Sequence, residues 1–275
     1  MTTRQRGSAR KQVATRPAKT WLVDLGNTRL KWAAIASTNA DALAARDVHA
    51  CAHTGSTDSP ALAAAFVHVR PGDPAWLASV ASPAMTAAVA TALGRRGALV
   101  QRAVTQSVCA GVRIAYDDPS RFGVDRFLGL LAAHARGQRA WLVVGVGTAL
   151  TIDLLAADGV HHGGLIAPSP TVMRAALVQR APHLPVDGGQ VLDFARDTAD
   201  ALASGAIVSS RALIAHSLRA ARQRLGETPT LLMTGGGSDA LCAGWRVRAL
   251  RAPELVLRGL QVYAHAAGMP PRQLD

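Results

Sequence analysis

Aromatic residues are scarce in this 275-residue chain, and only three lysines, Lys11, Lys19 and Lys31, stand against 27 arginines. About half of the chain is apolar, so its core has to be built from Ala, Leu and Val on helices and strands. That is the composition of an ordinary α/β protein and excludes the disordered and fibrous classes. Cysteine is equally sparse. Cys51, Cys109 and Cys242 are odd in number, far apart and form no CxxC, which argues against a disulfide framework or a zinc site and fits a reducing, cytoplasmic setting. The longest apolar run, Trp141 to Ala157, is interrupted by Thr148, Thr151, Asp153 and two glycines, so it reads as buried strands and not as a membrane span. The first twenty residues lack the apolar stretch of a secretory signal. Also missing are GxxxxGK[ST], a GxGxxG after a strand, HExxH and GxSxG. Any nucleotide must be held by another route.

Acidic residues are in the minority, and the formal net charge is +12. Half of that excess lies in residues 1–20, which carry Arg4, Arg6, Arg10, Lys11, Arg16 and Lys19 without an acid. The remainder is thinly spread, and the arginine-for-lysine skew points to coding bias more than to a nucleic-acid footprint.

The chain is organised as a polar basic tail over 1–20, expected to be disordered, followed by two lobes, 21–120 and 121–275. Trp21 to Asp24 reads as a strand, Gly26-Asn27-Thr28 as a turn and Leu30 to Ile35 as the returning strand. Another strand is expected over Ala75 to Val80, and one over Thr230 to Thr234. Helices are expected from Pro83, behind the cap Ser82, to Gly94, and over Phe122 to Arg136. Others are expected over Pro170 to Gln179, Thr198 to Leu225 and Glu254 to Ala267. Trp21-Leu22-Val23 recurs as Trp141-Leu142-Val143, and a threonine follows each tryptophan by seven residues, Thr28 and Thr148. This internal echo suggests similar strand–turn–strand units facing each other across a cleft.

A phosphate-holding turn needs small residues, so that backbone N–H groups can approach the oxygens, and a hydroxyl to complete the cradle. Gly26-Asn27-Thr28 and Gly147-Thr148 each supply these. Asp24 could hold Mg²⁺ through water, and Lys31 could neutralise phosphate as a point charge. Taken alone, the first turn reads better as a plain tight hairpin. Asp125 and Arg126, at a helix start after Gly123, could accept a hydroxyl proton and clamp a carboxylate bidentately, or be solvated charges at a helix N-terminus. Gly163–Pro168 and Thr234–Gly237 are glycine-rich ends of apolar segments. His161 and His162 are adjacent, would point to opposite faces of a strand, and receive no ligand role.

Taken in order, these segments resemble the type III pantothenate kinases of the actin, Hsp70 and sugar-kinase superfamily. Asp24-Leu25-Gly26-Asn27-Thr28-Arg29-Leu30-Lys31 is similar to that family's DxGNTxxK loop. Tyr116 with Asp118-Pro119 and Gly123-Val124-Asp125-Arg126 resembles YxNPxxxGxDR. Gly147 to Thr151 resembles GTAxT, Gly163 to Pro168 resembles GGxIxPG, and Asp197-Thr198 with Ser204-Gly205 resembles NTxxAxxSG. The resemblance covers residues 21 to about 267. It implies two actin-like (ribonuclease H-like) lobes with a nucleotide cleft between them. The implied reaction is ATP-dependent phosphorylation of pantothenate to 4′-phosphopantothenate, the first step of coenzyme A synthesis, with Asp125 as general base. It further implies that Asp24 to Lys31 and Thr148 bind ATP with Mg²⁺. Tyr116, Gly123, Val124, Asp125, Arg126 and Thr198 would hold pantothenate, and a homodimer partner would help close the pocket. Three departures stand out. Gly145 occupies the position of an aspartate that in many members coordinates K⁺ or NH₄⁺, which puts a monovalent-cation requirement in doubt. Ser169 stands for a glycine and Asp197 for an asparagine. Two alternatives keep the fold, a kinase for another small hydroxyl compound and a non-catalytic transcriptional accessory factor.

Overall fold

The computed structural model describes residues 19–36, 43, 47–53 and 60–268. Apart from Lys19 and Thr20, the basic tail lies outside the described residues. The first strand, β1 (Lys19–Leu25), begins two residues before Trp21 because Thr20 is buried and the Lys19 amide donates to Asp73 Oδ1 at 3.4 Å.

Strands β2 (Arg29–Ala36) and β3 (His49–Ala52) extend β1 as an antiparallel meander. Helix α1 (Pro60–Ala65) follows, then β4 (Pro74–Ser79), α2 (Pro83–Arg95) and β5 (Leu99–Arg102). β4 lies parallel to both β1 and β5, so the first sheet has the order β3-β2-β1-β4-β5. The hairpin of β6 (Val108–Cys109) and β7 (Val112–Arg113) and a 3₁₀ turn at Pro119–Arg121 lead into α3 (Val124–Ala135). The chain then repeats itself. β8 (Trp141–Val146), β9 (Ala149–Leu155) and β10 (His161–Pro168) form a second antiparallel meander. Helices α4 (Pro170–Arg180) and α5 (Thr198–Leu225) precede β11 (Thr230–Thr234), α6 (Ser238–Cys242), β12 (Ala249–Arg251) and α7 (Leu255–Ala266). The second sheet has the order β10-β9-β8-β11-β12, the same topology as the first. The tryptophan echo therefore marks a duplicated five-stranded unit, of which the sequence displayed only the first hairpin.

Alternation along the strands builds a layered molecule. Leu22 of β1 and Val143 of β8 face a shared central cluster containing Phe127, Leu128 and Leu131 of α3 and Leu257 and Leu260 of α7. Trp21 and Val23 face the other way, toward Phe66, Met85, Val89 and Leu93 near α1 and α2. On the second sheet Leu142 and Val144 face outward against Ile207 and Ile214 of α5. The layers thus run helices, sheet, the α3–α7 pair, sheet, helices, and the two meander turns stand on either side of the α3–α7 pair.

Local signals explain most element ends. Ser82 caps α2 by accepting the Met85 amide with Pro83 in the first turn, and Gly226 closes α5 in the left-handed conformation at φ 74°. α3 starts two residues later than expected, because Phe122 is extended and bonded back to Pro119, leaving Gly123 as N-cap. Among the described residues α5 is the one helix long and apolar enough to cross a bilayer by length and composition. Arg211 at its middle donates from Nε to the Leu241 carbonyl at 3.0 Å, tying it to α6.

Candidate active site

The first turn is shaped by the β1–β2 register, which sets Asp24 opposite Lys31 and Leu25 opposite Leu30. Gly26 N–H donates to the Arg29 carbonyl at 2.9 Å, and Asn27, Thr28 and Arg29 are exposed at the tip. Leu25 and Leu30 are fully buried. Their side chains belong to the core, so within the stretch expected at phosphate they can contribute backbone only. Buried His53, a residue the sequence did not single out, braces the turn from behind. Its Nε2 lies 2.9 Å from the Gly26 carbonyl, and its amide donates to the Thr28 carbonyl at 3.0 Å. Lys31 Nζ donates to the Pro253 carbonyl at 3.2 Å, linking the first hairpin to the segment before α7.

Asp24 ends β1 half-buried. Burial pushes its carboxyl up from 3.8 to about 7; the Lys31 charge pulls it back, and the nearby charge of Asp125 raises it further.

The second turn carries Thr148, exposed between β8 and β9, with the Gly147 amide bonded to Ala149 O at 3.0 Å. Thr28, Arg29, Gly147 and Thr148 line one cavity of about 340 Å³, along with Gly236 and Gly237 after β11. The same cavity receives the N-terminus of α4, through Ser169, Pro170 and Thr171. A helix N-terminus presents N–H groups and a positive dipole end, and the glycines let backbone come close, which together make a phosphate-binding environment. Ser169 has a local role here. Its Oγ accepts the Val172 amide at 3.4 Å and caps α4.

Asp125 sits in the first turn of α3, where an acid is favoured by the helix dipole. Its Oδ1 accepts the Arg126 amide at 2.8 Å. Burial raises its pKa above the ordinary carboxylate value, against the lowering effect of that hydrogen bond and of the Arg126 charge. A side chain at Gly123 would meet Asp125 Oδ1 at 2.8 Å, so glycine there leaves the carboxylate in place.

The Arg126 fork is already engaged, contrary to its expected use on a substrate carboxylate. Nε donates to Asp153 Oδ2 at 2.9 Å and Nη2 to Oδ1 at 2.6 Å, and both residues are buried. Nη1 reaches the Tyr116 hydroxyl at 3.5 Å. His161 Nε2 lies 3.1 Å from Asp153 Oδ1, so the Asp153–His161 pair belongs to the site although the sequence assigned it nothing. His162 points the other way, its Nδ1 accepting from Arg224 Nε at 3.0 Å. Val124 is a core residue.

Thr198 does not line the cavity that the two turns share. It begins α5 behind the cap Asp197, which accepts the Asp200 amide at 3.0 Å as an asparagine would. There it lines a separate cavity of about 670 Å³ between α4 and α5. At Gly145, a Cβ would lie 2.7 Å from Thr151 Oγ1. The threonine hydroxyl thus fills the space an aspartate would need.

Duplicated five-stranded sheets around a shared helix pair, with both meander turns on one cavity, define the two-lobed fold of the actin and sugar-kinase phosphotransferases. The chain belongs to the type III pantothenate kinase family, whose model matches residues 21–220. It is 51% identical over 245 residues to a type III pantothenate kinase of Stenotrophomonas maltophilia, covering 89% of this chain and 96% of that one. It is 49% identical over 251 residues to a type III pantothenate kinase of Xanthomonas euvesicatoria, covering 91% and 99%. The fold is shared with a Campylobacter jejuni protein described as a Baf family transcriptional activator, at TM-score 0.56 and 17% identity over 89% of this chain and 97% of that one. It is shared also with a Sinorhizobium meliloti protein described as a 2-dehydro-3-deoxygalactonokinase, at TM-score 0.51 and 18% identity over 91% and 99%.

Proposed function

We propose that the chain transfers the γ-phosphoryl group of ATP to the primary hydroxyl of pantothenate, giving 4′-phosphopantothenate, with Asp125 as general base. The observation that carries this reading is the single cavity lined by both meander turns, Thr28 and Arg29 from the first and Gly147 and Thr148 from the second, together with the N-terminus of α4. Phosphoryl transfer asks the protein mainly for positioning and charge neutralisation. Thr28, Thr148 and the α4 N-terminus supply the phosphate cradle. Asp125 Oδ1 is held by the Arg126 amide, which orients Oδ2 as the oxygen that takes the hydroxyl proton as the bond to phosphorus forms. Its raised pKa makes it a better base.

The residues fit a divalent cation. Burial disfavours the charged form of Asp24, and a hydrated Mg²⁺, which takes one or two carboxylates and keeps several waters, would offset that cost. Such an ion would neutralise phosphate oxygens in the cradle. The residues do not fit a monovalent-cation site built on position 145, where Gly145 offers no carboxylate and Thr151 takes up the space.

A homodimer is part of the same proposal. Around the α4–α5 cavity Leu177, Val186, Val191, Leu192, Phe194 and Val208 are exposed, Phe194 by 94%. An apolar face of that kind on a soluble chain marks an interface. Across that face Thr198 would serve the partner's pocket. A cytoplasmic location follows from the reaction and from the cysteines kept apart.

The test is direct. Purified protein given ATP, Mg²⁺ and a panel of small hydroxyl compounds should phosphorylate pantothenate well ahead of the others. Preference for another acceptor, or no transfer to any, would overturn the assignment.

A further inference from the structure

We infer that Asp153 and His161 act as a positioning pair for the phosphoryl acceptor, fixing the Arg126–Tyr116 wall of the site relative to the second phosphate turn. The inference rests on the functional reading above. Asp153 receives three N–H groups, two from the Arg126 fork and one from His161. The direction of the third follows from the other ring nitrogen. His161 Nδ1 accepts the Ala115 amide at 3.3 Å, so it is unprotonated and the proton sits on Nε2, facing Asp153. His161 thereby ties the segment that carries Tyr116 to β9. The rings reinforce the tie, since His161 stacks on Tyr116 at 7° and 6.3 Å and lies 4.9 Å from Phe122, over which the Arg126 guanidinium sits at 4.6 Å.

β9 makes this a coupling between substrates. It begins directly after Thr148 and carries Asp153 five residues on, about 17 Å of extended strand from the turn. The backbone around the pair is adapted to it. The β9–β10 register shifts between His161 and Gly164, and a side chain at Gly164 would run into Asp153 and Arg126.

Stability is a poor explanation for the arrangement. A buried ion pair generally does no better than apolar residues of the same volume, because both charges lose their hydration. The pair has a clearer chemical consequence. With its fork on Asp153, Arg126 cannot turn to its neighbour Asp125 and occupy the base, and its Nη1 is aimed at the Tyr116 hydroxyl. Neither Asp153 nor His161 touches the phosphates, so both act through Arg126 and Tyr116.

The experiment compares His161→Leu, His161→Gln and Asp153→Asn with the wild type. It measures KM for pantothenate and for ATP separately, the ratio of phosphopantothenate formed to ATP hydrolysed, and Tm. His161→Leu should raise the pantothenate KM about tenfold, leave the ATP KM unchanged and lower the transfer-to-hydrolysis ratio. His161→Gln, which keeps a donor toward Asp153, should recover most of the loss. Asp153→Asn should behave like His161→Leu or worse. Equal losses for both substrates that track a fall in Tm, or no loss in any variant, would overturn the inference. Should Asp153→Asn fail to fold, the His161 variants decide alone. A wild type that makes no phosphopantothenate overturns the functional reading, and this inference with it.

Discussion

The two meander hairpins share a topology and place a threonine at the same distance from an initiating tryptophan, yet their acids lie on opposite sides of the turn. In the first, the acid precedes the turn. Asp24 ends β1 half-buried, opposite Lys31 and within reach of Asp125's charge. In the second, β8 ends in Val144-Gly145-Val146, and the acid comes after the turn as Asp153, buried on β9 against Arg126 and His161. Duplication of the fold thus set two turns on one cavity, and the placement of the acid distinguishes them. In the proposed reaction the first carboxylate would serve the metal, while the second is already engaged inside the protein by Arg126 and His161.

That division can be broken experimentally. Asp24→Asn removes the open carboxylate and should lower kcat by about a hundredfold while the protein stays folded, checked by steady-state turnover across a Mg²⁺ titration. Thr148→Val removes only a hydroxyl from the second cradle. It should raise the ATP KM several-fold with the pantothenate KM unchanged, the mirror image of the His161→Leu result.

A third expectation concerns pH. Because the folded-state pKa of Asp24 is raised, the native protein binds an extra proton between about pH 4 and pH 7, and stability contributed by this group falls as pH rises through that window. The contribution is fully present below the ordinary carboxylate pKa and gone above about 7. Melting curves should therefore show Asp24→Asn losing the part of the acid-to-neutral decline that wild type displays. An unchanged slope would contradict the raised pKa. The smallest effect concerns ions. Replacing K⁺ by Na⁺ in the turnover assay should leave the rate unchanged, because Thr151 rather than a carboxylate fills the space beside Gly145.

Much of the fold was legible where the signal is local. Ser82-Pro83 opens α2 and Gly226 ends α5 because caps are short-range devices. The edge strands β3, β5 and β12 were not legible. They are three or four residues long, partly exposed, and owe their existence to the strand beside them. The same divide runs through the site. Asp24, Thr28, Thr148 and Asp125 sit in turns and helix starts whose residue types announce them. Asp153 and His161 sit in an apolar stretch and a histidine doublet, and their meaning comes from Arg126, 27 residues before Asp153 in the chain. Likewise Lys31 finds the Pro253 carbonyl 222 residues away, and His53 braces Gly26 across the β2–β3 hairpin. Thr198 shows a further limit. Its motif was recognisable, but the cavity it lines is not the one the two turns share.

The account stands most directly on Asp125. Turnover of ATP and pantothenate by Asp125→Asn should fall by a factor of about 10² to 10⁴, with ATP binding and Tm retained, because the cradle is intact and only the proton acceptor is gone. Turnover at the wild-type rate by a folded Asp125→Asn protein would contradict it.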